Sequence, residues 1–332
     1  AAAAAAGGGI NGLPEGCVSN VLSLTSPRDA CRSAAVSWTF RSAAESDNVW
    51  ERFLPPDYRD IISRAAKPVE YSSKRELYFL LCGSILIDGG VKSFALERSS
   101  GKKCFMLSAR QLRIVWGDTA QYWKWVSLRA SRFSKVAELL NVCWLEIRGM
   151  IDSRMLSQDT SYVAYLIFKL TEDSYGLGFP QEASVKVAAH QSEQAVCLHP
   201  EQREPRRPVP RVGLRHIAGF PHPPPPGLPL AAPPAMLPLP LHVGLHPPPP
   251  PAVEQVHKVP QARDDGWMEI EIGEFFNDKG DDGAVEMCFK EIRGGQWKRG
   301  LIVEGIEVRP RGQFAHSISD DPFLSSTSSI SS

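Results

Sequence analysis

The sequence predicts an α+β protein of more than one domain, in which a small helical region precedes an antiparallel β-sandwich. Residues 13–66 carry helix-capping residues and helical apolar spacing, whereas short β-type runs dominate from about Ser72. The chain has 332 residues, enough for two or more domains. Its 37 basic and 37 acidic side chains balance, so no overall field attracts nucleic acid or anionic lipid.

The helical region is expected to hold four short helices. Pro14 opens the first, at an early helical position where its missing N–H costs nothing. Ser26 is expected to cap the second, with Pro27 at its first position. This helix should end near Trp38, and a third should begin at Ser46, with a fourth after the next prolines. A bundle this short buries little core, so it should depend on a partner or on the next domain.

The strand-like runs differ in their patterns. Residues 162–170 are apolar on both faces, as expected of a central strand. Residues 267–272 alternate, with Met268, Ile270 and Ile272 on one face and two glutamates on the other. Glycine- and aspartate-rich turns separate the runs. Many short strands with turns between them predict an antiparallel sandwich or jelly roll.

A proline-rich stretch at residues 190–263 interrupts this pattern. It holds 20 of the chain's 28 prolines, and proline removes hydrogen-bond donors that a sheet needs. We therefore expect a disordered or polyproline-like insert. It is either a genuine insert or translated non-coding sequence from an error in the gene model. Residues 1–12 are expected to form a flexible leader and residues 312–332 a disordered tail.

Cysteines and histidines form no catalytic or metal-binding pattern. The seven cysteines are scattered without a CxxC pair, which argues against a disulfide framework or a zinc site and favours the nucleus or cytoplasm. All eight histidines lie in the proline-rich stretch or the tail, so the commonest general base is missing from the predicted domains. No apolar run approaches the ~20 residues of a membrane span. We expect no cofactor, no membrane association and no enzymatic activity.

The order of short motifs carries a family resemblance. The helical region resembles an F-box in Leu13-Pro14-Glu15, Val21-Leu22-Ser23, Ser26-Pro27-Arg28-Asp29 and Asp47-Asn48-Val49-Trp50. The remainder resembles a plant phloem protein 2-like domain in Trp116-Gly117-Asp118-Thr119, Tyr122-Trp123-Lys124-Trp125, Cys143-Trp144-Leu145-Glu146, Gly266-Trp267-Met268-Glu269 and Gly300-Leu301-Ile302-Val303. The implied domains are an F-box at residues 13–66 and a lectin-like jelly roll in two parts, 72–189 and 264–311.

The resemblance implies two binding activities. An F-box docks on the Skp-type adaptor of a cullin ubiquitin ligase, and the second domain resembles Nictaba-type lectins, which bind N-acetylglucosamine oligomers and N-glycan cores. The chain would then be the substrate receptor of the ligase, with a glycoprotein target. Two alternatives remain: a receptor for a non-glycosylated protein, and a phloem lectin-like protein with no role in a ligase.

Candidate adaptor contacts form an apolar stripe: Leu13, Pro14, Val18, Val21, Leu22 and Pro27. A helix-packing interface needs such a stripe, but so does the core of the bundle itself. Both explanations remain open on composition, and the resemblance favours the interface.

The candidate sugar-binding residues, implied by the resemblance, are Trp116, Trp123 and Glu291. An indole face stacks on the C–H face of a pyranose, and a carboxylate accepts hydrogen bonds from hydroxyls. The alternative is that these tryptophans are core residues, as we expect for Trp125, Trp144 and Trp267. One departure from the lectin pattern is Ala284, which stands where the lectins have a carboxylate and so predicts weaker sugar binding.

Overall fold

A computed structural model describes residues 13–199, 258–280, 282–293 and 295–312. The described helices are α1 (Glu15–Leu22), α2 (Pro27–Ser33), α3 (Trp38–Glu45), α4 (Asp47–Phe53), α5 (Tyr58–Ser63) and α6 (Lys74–Cys82). The described strands are β1 (Ile85–Ile87), β2 (Lys92–Leu96), β3 (Lys103–Ser108), β4 (Arg113–Ile114), β5 (Trp123–Val126), β6 (Val136–Leu139), β7 (Leu145–Asp152), β8 (Thr160–Tyr175), β9 (Gln181–Val187), β10 (His190–Val196), β11 (Gln261–Ala262), β12 (Met268–Asn277), β13 (Ala284–Glu291) and β14 (Arg299–Pro310). The predicted class, helices first and antiparallel strands after them, is confirmed. The predicted leader, and the predicted tail beyond residue 312, lie outside the described residues.

The helix starts follow capping chemistry. The Ser26 hydroxyl accepts a hydrogen bond from the Asp29 N–H at 3.1 Å, and Pro27 follows the cap, as predicted. Helix α3 was not predicted. It begins after Ser37, whose hydroxyl accepts from the Phe40 N–H at 3.4 Å. The buried residues of α3 are Ala43 and Ala44, so its sequence lacks the stripe of large apolar side chains that usually identifies a helix.

The strands form two antiparallel sheets packed face to face. One has the order β1-β2-β3-β14-β8-β12-β11, with β6 pairing β14 and β5 pairing β6. The other has the order β10-β9-β13-β7-β4. Gly149 of β7 faces Ile306 of β14, where a Cβ on Gly149 would lie 3.0 Å from the Ile306 Cδ1. The missing side chain therefore allows the two sheets to approach closely.

The central strand is confirmed, and so are the two faces predicted for the alternating strand. Residues 162–170 belong to β8, which lies between β14 and β12. In β12, however, Glu269 is not solvent-exposed: it is buried and forms ion pairs with Arg263 and Arg309 at 2.7 and 2.6 Å. Burial alone would raise the pKa of Glu269, but the arginine contacts, Arg309 above all, lower it below its usual value. The paired arginines thus cover this charged position on the face of the sheet opposite to Ile270.

The sandwich extends into the predicted proline-rich insert. Strand β10 pairs with β9 along its whole length, and β11 pairs with β12, so the predicted boundaries at 190 and 263 are wrong. His190 accordingly lies in a strand. Strand β10 is an edge strand with mostly polar residues, and its sequence therefore lacks the alternation that identifies strands.

Residues 200–257 lie outside the described part of the chain. The Cys197 N–H donates to the Lys258 carbonyl at 3.0 Å, so the described chain resumes beside the point where it stops.

Aromatic packing attaches the helical region to the sandwich. Trp50 of α4 is buried, and its ring centroid lies 5.2 Å from those of Tyr78 and Phe79 on α6. The Tyr78 hydroxyl donates to the Arg98 carbonyl at 3.1 Å, in the turn between β2 and β3. Gly101, in the same turn, has φ +72°, and a Cβ there would lie 2.7 Å from the Phe53 carbonyl oxygen. The small helical bundle therefore completes its core against the following domain.

Candidate functional site

The structure divides the predicted adaptor stripe in two. Leu13 and Val21 are 45% and 56% exposed, and Pro14 is also exposed. The other three candidates, Val18, Leu22 and Pro27, are buried in the bundle. Val18 and Leu22 follow the i, i+4 spacing of the buried face of α1. Because these three residues lie in the core of the bundle, they could affect adaptor binding only indirectly. Their role in adaptor binding stays a prediction.

Further exposed apolar residues surround these helices. Leu24 is 65% exposed, Val36 is 69% exposed and Trp38, the first residue of α3, is 79% exposed. We refer to the five residues Leu13, Val21, Leu24, Val36 and Trp38 as the exposed F-box set. Large apolar side chains this exposed favour a protein interface. Leu24, Val36 and Trp38 were not predicted, because they lie at or beyond helix ends, where helical spacing does not show whether a residue is buried.

The two candidate sugar-binding tryptophans differ in position. Trp123 is buried, and its indole N–H donates to the Val115 carbonyl at 3.2 Å, so Trp123 is a core residue. Trp116 is half-buried on the loop after β4 and has φ +57°, a strained conformation for a large side chain. Its ring centroid lies 5.1 Å from that of Tyr122. Its buried indole N–H finds no acceptor among the described residues. The Trp116 indole N–H is therefore buried and unpaired among the described residues, whereas that of Trp123 is paired.

Glu291, the third candidate, is also internal. It is 7% exposed at the end of β13 and forms an ion pair with the fully buried ammonium of Lys298. Burial lowers the pKa of Lys298 below its ordinary value. Ala284 is the first residue of the same strand, opposite Asp152. At the rise of a β-strand, positions 284 and 291 lie roughly 24 Å apart, so they cannot belong to one small sugar site.

Trp116 and Glu291 nevertheless lie at the same end of the sandwich. The Val115 N–H donates to the Glu146 carbonyl at 3.0 Å, and Glu291 pairs with Leu145 in the neighbouring strand. The prediction for Trp267 is confirmed, since it is 1% exposed, but the prediction for Trp144 is wrong. Trp144 lies at this end of the sandwich and is 43% exposed. Trp125 is partly buried beneath the Arg110 guanidinium, which lies 3.7 Å from its ring centroid.

A polar cavity lies elsewhere, beside β10 and β12. Its volume is about 240 Å³, and none of the predicted site residues lines it. Its charges are paired within the protein, Lys258 with Glu271 and Arg311 with Glu274. Across the ranges that the structure describes, no three His, Cys, Asp or Glu side chains come together as a metal site. In the same ranges, no helix has the length and apolar character that crossing a membrane requires.

Comparisons with known proteins agree with this architecture. Residues 10–52 match the F-box domain model, and residues 102–310 match the model described as phloem protein 2. Three Arabidopsis thaliana proteins align over most of their length. F-box protein PP2-B15 is 42% identical over 308 residues, covering 90% of this chain and 96% of the relative. F-box protein PP2-B10 is 40% identical over 306 residues, covering 91% and 94%. F-box protein VBF is 40% identical over 310 residues, covering 90% and 99%.

An N-terminal helical bundle with an F-box match, joined to an antiparallel sandwich, defines an F-box protein. The chain belongs to the F-box family whose members carry a phloem protein 2 domain. The F-box implies a Skp-type adaptor as partner, and the two domains together suggest a substrate adaptor of an SCF (Skp–cullin–F-box) ubiquitin ligase.

Proposed function

We propose that this chain is the substrate-recognition subunit of an SCF-type ubiquitin ligase. The F-box binds the Skp-type adaptor, and through it a cullin, while the phloem protein 2 domain binds a glycoprotein target through N-acetylglucosamine oligomers or the N-glycan core. The chain itself performs no chemistry. It brings the target close to the catalytic parts of the ligase, and such proximity raises the effective concentration of the reacting groups.

The exposed F-box set carries the adaptor half of this proposal. The bundle has its own buried core, which includes Trp50 at 1% and Val49 at 0% exposure. Trp38 and Val36 are left outside that core at 79% and 69% exposure. Placing such residues in water lowers solubility without improving the fold, unless a partner covers them. An interface rich in aromatic and aliphatic contact area is the use that fits them.

The attachment of the F-box to the sandwich supports a receptor role. Trp50 contacts α6, and Lys103 of β3 forms an ion pair with Asp57 at 3.1 Å. The Lys103 side chain is only 7% exposed, so this pair is well shielded from solvent. A bound adaptor and a bound target would thereby be held at a fixed distance and orientation. A ligase needs such an arrangement to transfer ubiquitin to its target.

A non-glycosylated protein target is the second candidate. The burial of Trp123 and Glu291 favours it, because two of the three residues implied by the resemblance have no surface to offer a sugar. Trp116 favours the glycan, because of the three candidates it alone is not buried. A phloem lectin-like protein without a ligase role remains the third candidate. We place the protein in the nucleus and cytoplasm, where cysteines that form no disulfide suit a reducing environment.

Two measurements on one preparation test the proposal. Purified full-length protein should retain purified Skp-type adaptor in a pull-down, and Leu13→Ala/Pro14→Ala should retain less. The same protein on a glycan array should bind N-acetylglucosamine oligomers. Adaptor binding without glycan binding would favour a protein target. Glycan binding without adaptor binding would leave a lectin with no ligase role.

A further inference from the structure

We propose that a buried lysine clamp positions two exposed tryptophans, Trp144 and Trp297, as the sugar-stacking surface of the sandwich. This inference rests on the proposed glycan-binding function and moves the site away from Trp123 and Glu291. Trp144 is 43% exposed and Trp297 is 51% exposed. They precede β7 and β14, at the end of the sandwich that also carries Trp116.

The clamp is the side chain of Lys298. Its ammonium donates to the Cys143 carbonyl at 2.9 Å and to the Gln296 carbonyl at 2.8 Å, and it forms an ion pair with Glu291. Each carbonyl belongs to the peptide bond that leads directly into one of the tryptophans. Standard peptide dimensions then keep the Cα atoms of Trp144 and Trp297 within about 11 Å of each other. The backbone adds two hydrogen bonds between Val142 and Lys298, at 2.7 and 3.1 Å.

Glu291 acts on the ligand through this clamp. A fully buried ammonium is costly unless it is paired and hydrogen-bonded. Glu291 supplies the pairing charge, and the two carbonyls use the remaining donors. Glu291 is therefore a positioning residue: it keeps Lys298 charged inside the protein, and Lys298 holds both tryptophan-bearing loops.

The Trp144 ring and the Trp297 backbone are both held by local contacts. The Trp144 indole N–H donates to the Glu146 carboxylate at 2.9 Å, and Arg148 donates to the same carboxylate at 2.6 Å. Burial opposes the charge on Glu146, but these contacts lower its pKa below the usual value and keep it an acceptor. The Trp297 backbone lies against β8: a Cβ on Gly176 would lie 2.1 Å from the Trp297 carbonyl oxygen.

A third ring completes the surface, which we call the aromatic rim: Trp144, Tyr175 and Trp297. Tyr175 is 46% exposed and immediately precedes Gly176. Its hydroxyl donates to the Asn141 side-chain oxygen at 2.9 Å. Rings held in place before binding lose little conformational freedom when a ligand arrives, which favours affinity.

The chemistry around the rim favours a carbohydrate over an apolar protein segment. The rings stand among a carboxylate, Glu146, and an amide, Asn141, rather than in a continuous apolar groove. A pyranose combines an apolar C–H face with a rim of hydroxyls, so it can stack on indole while bonding such polar groups. We infer that the rim binds successive sugar rings of an oligosaccharide.

Isothermal titration of the full-length protein with N,N′,N″-triacetylchitotriose tests the site. Trp144→Ala and Trp297→Ala should each weaken binding by at least about tenfold, because tryptophans dominate interfaces of this kind. Met150→Ala, at a 62% exposed position on β7 away from the rim, is the matched control and should bind like wild type. Thermal midpoints of all three variants should match wild type, because the changed side chains are exposed.

The outcomes separate this inference from the proposed function. Wild-type binding that survives both rim substitutions but is lost in Trp116→Ala would overturn the rim and leave glycan binding intact. No binding by folded wild type would overturn the glycan ligand itself and the rim with it. A titration with maltotriose is the control for non-specific sugar contact. The protein preparation must contain no lysozyme.

A double-mutant cycle tests the clamp. Lys298→Met/Glu291→Gln removes both charges, so no unpaired buried charge remains. The pair should fold and bind the sugar at least tenfold more weakly. Adding Trp144→Ala/Trp297→Ala to this variant should cause no further loss if the clamp acts through the tryptophans. Fully additive losses would overturn the positioning role.

Discussion

Trp50 provides a quantitative test of how the F-box is attached to the sandwich. Its side chain is 1% exposed, and its indole N–H donates to the Ala44 carbonyl at 2.6 Å. Replacing a buried tryptophan with alanine typically costs about 3–5 kcal/mol. The orphaned carbonyl adds about 1 kcal/mol. We therefore expect Trp50→Ala to lower the free energy of unfolding by about 4–6 kcal/mol, a large fraction of the stability of an ordinary domain.

Urea denaturation of the full-length protein measures this loss. Trp38→Ala is the matched control, because the same residue type is removed from a position that is 79% exposed. That control should change the unfolding free energy by less than about 0.5 kcal/mol. Hydrogen exchange should show α4 and α6 losing protection together in Trp50→Ala, since the ring joins them. A loss below about 1 kcal/mol, or lost protection in α4 alone, would refute the proposed coupling.

Two further predictions concern stability. Burial raises the pKa of Glu304 despite hydrogen bonds from the Arg132 N–H and the Ser131 hydroxyl. A carboxyl group whose pKa is higher in the folded state stabilises the fold at low pH, and this contribution is lost as the pH rises. Glu304→Gln should therefore raise the thermal midpoint more at pH 8 than at pH 4.5, and an equal gain at both pH values would contradict this assignment. Replacing residues 200–257 with a six-residue glycine–serine linker should preserve the fold and lower the loop-closure cost by about 2 kcal/mol, since Cys197 and Lys258 are hydrogen-bonded neighbours. An unfolded or aggregated product would count against this arrangement of the two chain ends.

The sequence was most informative where local chemistry decides the structure. The Ser26 cap and the apolar residues 162–170 predicted α2 and β8 because capping and burial on both faces leave direct marks. The sequence did not predict α3, whose buried residues are small alanines, or β10, whose edge position tolerates polar residues. Tertiary contacts stabilise α3 and β10, and such contacts cannot be predicted from the sequence of one segment alone.

The candidate site was harder to predict than the fold. A motif identifies Trp123 and Trp144 equally well, yet the first is buried and the second is exposed. Exposure depends on which strands lie across a residue, and this is set by pairings distant in sequence, such as Val142 with Lys298. The same limitation concealed the partner of Glu291, because the Lys298 ion pair forms only when β13 and β14 bring their ends together.

The most direct test of the account is the affinity of purified Skp-type adaptor for the full-length protein, measured by isothermal titration for wild type and Trp38→Ala. An indole of about 200 Å² that is 79% exposed could contribute up to about 4 kcal/mol at 25 cal/mol/Å². We expect nanomolar-to-micromolar binding by wild type and at least a tenfold loss in Trp38→Ala with unchanged stability. No binding by folded wild type would contradict the ligase role.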